Sequence, residues 1–173
     1  ALACANLMDP PGTGDQWRAC IEPHFAQAMT DVEILSADDM EGRAPSTPGS
    51  AKARTYIIER LTALGVAPFF PHSYVHTFEY EGDNDDDLEG TNVVAVIPGT
   101  ASDGKIIVVT AHYDHLGTDR RGIFNGADDN ASGVAALLVL AAALTAEAPS
   151  HTVILAFTDP EEVGYNGSAE LVD

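Results

Sequence analysis

Residues Thr152–Glu162 read TVILAFTDPEE, and the fold turns on this stretch. TVILAF is an unbroken apolar run of the kind that forms a strand buried on both faces. A few residues later it delivers Glu161 and Glu162 side by side. Adjacent carboxylates at the end of a buried strand repel each other and lose solvation unless positive charge stands close by. No Lys or Arg occurs after Arg121, so nearby basic residues cannot supply it. A bound metal ion can.

Working outward, the second half of the chain alternates strands and helices. TNVVAVIPG (residues 91–99) and KIIVVTAHYDHLG (105–117) are β-branched runs like HTVILAFTD (151–159). SGVAALLVLAAALTAEA (132–148) reads as a helix with Ser132 as its cap, and a last helix begins near GYNGSAELVD (164–173). Apolar strands alternating with helices predict an α/β fold, a three-layer α/β/α sandwich around a mainly parallel mixed sheet. In such sheets the chemistry gathers beyond the carboxyl ends of the strands.

The first half is more varied. Residues 1–23 are rich in Pro, Gly and small side chains and read as an arm or linker, with a helix from His24 to Leu35 and a loop, ADDMEGRAPSTPGS, after it. SAKARTYIIERLTALGV (50–66) is an amphipathic helix capped by Ser50, with Ala53, Tyr56, Ile57, Leu61 and Leu64 on one stripe. SYVHTFEY (73–80) alternates as a strand does, and EGDNDDDLEG (81–90) follows as an acidic hairpin loop. A calcium loop of the EF-hand kind needs Gly at its sixth position and Glu at its twelfth; counted from Asp83, Leu88 and Val94 stand there, so that reading fails.

With 173 residues, 45% of them hydrophobic, the chain can bury the core of one domain. Eight Lys and Arg against 27 Asp and Glu give a net charge of -19, which argues against nucleic acid or an anionic membrane surface as partner. The most apolar run, Gly133–Leu144, falls short of the ~18 apolar residues of a membrane span, and no span is expected. The opening ALACANLMDPP resembles the residue of an export signal. It predicts a periplasmic or extracellular protein, with Cys4 as a possible lipid carrier and a Cys4–Cys20 disulfide as an alternative use.

Three groups at the predicted strand ends can bind metal. His112 and Asp114 are two apart on one face of a strand end, Asp128 and Asp129 precede a helix, and Glu161 and Glu162 follow TVILAF. Neutral imidazole with carboxylates suits zinc. Each alone has a plainer reading, as a structural histidine, a helix cap or a solvated pair; their order along one sheet edge favours a joint site. His115, three residues past His112 on an extended chain, is expected to face away.

AHYDHLG, NGADDNASG and EEVGYNGS together resemble the three successive metal motifs of the co-catalytic zinc aminopeptidase family, which also includes glutamate carboxypeptidases and glutaminyl cyclases. DDMEGRAPSTPGSAKARTYIIERLTALGV resembles the segment before the catalytic core in its exported bacterial members. The likeness covers roughly Asp38–Ser168; Pro160 stands where Gly is frequent. It implies two zinc ions and a peptide substrate, with His112 on one ion, Glu162 on the other and Asp128 bridging them. It also implies Asp114 orienting the His112 imidazole, Glu161 as general base, and a cis bond at Asp128–Asp129. The family's remaining ligands, an Asp and a distal His, fall after the glutamate pair, where this chain offers only Glu170 and Asp173 as acids and no His. Residues 24–173 are therefore expected to be the N-terminal portion of a catalytic domain, lacking its C-terminal part and prone to self-association or to pairing with the missing half. Besides an aminopeptidase, the same residues admit a glutaminyl cyclase, which uses one zinc, or a non-catalytic binding module.

Overall fold

The computed structural model describes residues 15–81 and 87–172. Cys4, with its disulfide and lipid readings, and the tip of the acidic loop lie outside the described residues. Helix α1 spans Asp15–Leu35, so it begins earlier than His24 and takes in the end of the expected arm. A short 3-10 segment, Asp38–Arg43, leads to α2, Pro48–Ala63. Thr47, not Ser50, caps α2: its hydroxyl accepts the Ser50 N–H, while the Ser50 hydroxyl is buried. Pro48 in the first turn fits there because its missing N–H would have had no helical partner. Strands β1 (Ala67–Pro68), β2 (Val75–Glu81), β3 (Asp87–Ile97) and β4 (Ile106–His112) follow. A small ribbon of β5 (Thr118–Asp119) and β6 (Gly122–Ile123) precedes a π turn, Ala127–Ala131, and then α3, Ser132–Ala146. Strand β7 (Thr152–Thr158) and the short α4 (Asn166–Ala169) complete the chain.

The sheet is mixed, in the order β1-β3-β7-β4, with β2 also on β3. Parallel pairing among the described strands is confined to β4 and β7; β3 is antiparallel to β1, β2 and β7. The hairpin from β2 to β3 imposes part of that reversal. The period of two divides each strand between the faces. Val93, Ala95, Val153, Leu155, Phe157 and Ala111 join Ile57, Leu61, Val134 and Leu138 from α2 and α3 in one apolar core. Asn92 sits on the opposite face of β3 from Val93 and donates to the Gly167 carbonyl in α4, giving the thin third layer. Buried Asp31 ties α1 to α2 by accepting from Tyr56 (2.6 Å) and Arg60 (2.9 Å).

The run Ala127–Ala146 is, by length and composition alone, long and apolar enough to cross a membrane. Here Val134, Leu138 and Ala141 are wholly buried within the protein core, which accounts for the apolarity without a bilayer. The site depends on register: His112 pairs with Thr158 in the parallel β4–β7 ladder. The loops that carry Asp114 and the Glu161–Glu162 pair therefore leave the sheet side by side.

Candidate metal centre

Three segments meet at the carboxyl ends of β4 and β7: the end of β4, the π turn and the loop after β7. His112, the last residue of β4, turns its Nε2 toward Asp129 Oδ1 (3.1 Å) and lies 3.9 Å from Glu161 Oε2. Donor atoms of His112, Asp129 and Glu162 all fall within 4.8 Å of one another. One imidazole nitrogen and two carboxylates form a donor set that suits zinc.

The aspartate in this group is Asp129, one residue past the expected Asp128. Both aspartates are exposed, but it is Asp129 that turns a carboxylate oxygen to His112, while the Asp128 carbonyl accepts the Ser132 hydroxyl. The cis peptide bond shifts by the same step, to Asp129–Asn130. The next side chain closes the turn: Asn130 Oδ1 accepts the Gly133 N–H at 3.1 Å, capping α3 in place of Ser132. A Cβ at Gly133 would strike Asn130 Oδ1 at 2.2 Å, so only glycine leaves room for this cap.

Asp114 is wholly buried and does more than orient an imidazole. Its carboxylate accepts the N–H of Glu161 at 2.9 Å and that of Glu162 at 3.1 Å, so it fixes the backbone of the glutamate pair. His112 Nδ1 lies nearer the Asp114 carbonyl (3.2 Å) than its carboxylate (3.5 Å). Those two N–H groups claim the carboxylate, and the ring takes the backbone oxygen. Burial works against a charged His112, but Asp114, Glu161 and Asp129 outweigh it and raise its pKa to about 8.

His115 does not face away. Its Nδ1 meets Glu162 Oε1 at 2.6 Å, with both side chains mostly buried. The extended chain ends at His112, and the following loop is pinned to the 3-10 segment: His115 N–H donates to the Arg43 carbonyl and Gly117 N–H to that of Gly42. This bend reverses the direction that strand periodicity predicts for His115.

Among the described residues Arg43 is the largest fully buried side chain, and none of their carboxylates forms a salt bridge with it. Nε donates to the Tyr113 carbonyl (2.8 Å), Nη2 to that of Gly126 (2.8 Å), and Nη1 to those of Asn125 (2.7 Å) and Leu35. One guanidinium thereby joins the end of α1 to the His112–Asp114 loop and to the loop entering Asp129. Burial lowers its pKa, with Asp114 and Asp129 opposing. Gly126, at φ +58, lets that loop pass: a Cβ there would lie 2.6 Å from both Arg43 Nη2 and His115 Cδ2. Sequence reasoning missed Arg43, and the only signal was an Arg set among Gly and Pro in a loop.

Residues 92–173 match peptidase family M28. Over these residues the chain is similar to that family. A probable zinc metalloprotease of Leptosphaeria maculans is 38% identical over 84 residues, 47% of this chain and 20% of that protein. One from Pyrenophora tritici-repentis is 37% identical over 87 residues, 47% of this chain and 17% of the relative. The chain thus spans about a fifth of the length of these curated relatives. Among solved structures, a glutaminyl cyclase from Porphyromonas gingivalis superposes with a TM-score of 0.66 at 25% identity, covering 84% of this chain and 48% of that one. A Zn-dependent exopeptidase from Parabacteroides distasonis gives 0.59 at 23% identity, over 83% and 48%, and shows the fold alone. The family's metallopeptidase character and zinc, which the relatives' names carry, agree with the donors assembled here.

Proposed function

We propose that the polypeptide carrying this chain is a zinc-dependent exopeptidase, and specifically an aminopeptidase, exported from the cell. The observation that carries the proposal is the convergence of His112 Nε2, Asp129 and Glu162, with Glu161 adjoining but outside the donor triad. His112, Asp129 and Glu162 would hold the metal. Zinc, when bound, supplies Lewis acidity that polarises a peptide carbonyl and makes water a nucleophile near neutral pH.

The chain's residues do the rest. Glu161 takes the proton of the attacking water on its carboxylate and returns it to the departing amine. Asp114 holds the Glu161 and Glu162 N–H groups, so the base and the neighbouring ligand keep fixed positions relative to each other. His112, turned by the Asp114 carbonyl, presents Nε2 to the centre.

A second reading, glutaminyl cyclase, is favoured by the superposition on the Porphyromonas gingivalis enzyme. Assaying the full-length polypeptide on aminoacyl anilides and on an N-terminal glutaminyl peptide separates the two. In the same preparation, Glu161→Gln should keep its zinc and lose about 10²–10⁴-fold in turnover. Asp129→Ala should lose zinc while Asp128→Ala retains it. Wild-type turnover in Glu161→Gln removes the general base, and the reverse order of the two aspartates restores Asp128 as the ligand.

A further inference from the structure

We propose that His115 is a positioning residue that fixes which oxygen of Glu162 is free to bind metal. The inference rests on Glu162 being a ligand, as proposed above. His115 Nδ1 lies 2.6 Å from Glu162 Oε1, slightly shorter than the ~2.7–2.9 Å usual for an N–H hydrogen bond to a carboxylate. A carboxylate held by one oxygen cannot rotate freely, so its second oxygen keeps one direction. Glu162 has a donor atom within the His112–Asp129 group, whereas His115 is not part of that group.

The ring itself is constrained on several sides. Its backbone N–H is bonded to the Arg43 carbonyl, and Cδ2 lies against the space where a Gly126 side chain would stand. Its side chain is 11% exposed and that of Glu162 18%, so water competes weakly for this bond. Arg43 and Gly126 therefore aim His115, and His115 aims Glu162. Partners of this kind, behind a metal ligand, typically contribute 10–100-fold to metal affinity.

The test is zinc titration of the metal-free full-length polypeptide by chelator competition, with the cobalt(II) absorption spectrum as a second readout. His115→Ala should weaken zinc binding about 10–100-fold. His115→Asn, whose side-chain amide nitrogen takes the place of Nδ1, should recover most of that loss and the wild-type cobalt spectrum. His115→Gln, whose amide reaches toward the Nε2 position, should not. Wild-type affinity in His115→Ala overturns the proposal. Equal affinities for the Asn and Gln variants also overturn it, because position of the donor would then not matter; this contrast stands even if the Ala variant fails to fold. Glu162→Gln is the control for the underlying reading: if it binds zinc as wild type, Glu162 is not a ligand and the failure lies there.

Discussion

Replacing Arg43 with Met keeps most of the volume and removes every donor. Four carbonyls, the buried ones of Leu35 and Tyr113 and the part-buried ones of Asn125 and Gly126, would then lose their partner. At about 1–3 kcal/mol for each unsatisfied acceptor the gross cost is about 4–12 kcal/mol. Two effects reduce it: the guanidinium no longer has to be desolvated, and the loops can relax toward water. With these reductions the expected net loss is about 3–5 kcal/mol, near the low end of the gross cost. That is a large part of the ~5–15 kcal/mol that holds a domain together. Urea unfolding followed by far-UV circular dichroism measures it, and the melting temperature should fall by about 6–20 °C at ~2–4 °C per kcal/mol for a chain of this size. Lys at this position should recover little, since one ammonium cannot reach carbonyls on three separate segments. A loss below about 1 kcal/mol in Arg43→Met would refute the reasoning, because it would mean that the carbonyls find other donors and the loops need no clamp.

Burial, with Asp114 adding to it, raises the pKa of Asp159 to about 7. The unfolded chain ionises this carboxyl near pH 4 while the folded chain keeps its proton, so stability should fall as pH rises from about 4 to 7, by up to about 4 kcal/mol, and then level off. Asp159→Asn should flatten that part of the stability–pH curve; an unchanged slope would show that Asp159 is ionised throughout. Among the described strands β4 lies at the edge of the sheet, with Ile106, Ile107 and Val108 about half exposed. We propose that the isolated 173-residue chain self-associates along this edge, so Val108→Lys should shift its sedimentation toward the monomer. A wild-type chain that sediments as a monomer at every concentration would end that proposal.

The strands and core helices could be read directly from the sequence: TVILAF and SGVAALLVLAAAL carry their burial in their own composition, and KIIVVTAH its extended form, although Ile106, Ile107 and Val108 stay about half exposed. The placement of His112, Glu161 and Glu162 at adjoining strand ends was legible for the same reason: register carries a strand's last residue to its neighbour's last residue. The choice between Asp128 and Asp129 was not. Neighbouring aspartates in a turn look alike in composition, and only the path of the π turn decides which carboxylate meets His112. His115 and Arg43 lay further out of reach. Periodicity predicts a side chain's direction only while the strand lasts, and the bend after His112 is made by hydrogen bonds to Gly42 and Arg43, some seventy residues earlier in the chain. Local sequence thus determined which residues could bind a metal, through their chemistry and the strands that carry them. Tertiary structure decided which of them meet, because long-range backbone contacts set the final aim of each loop.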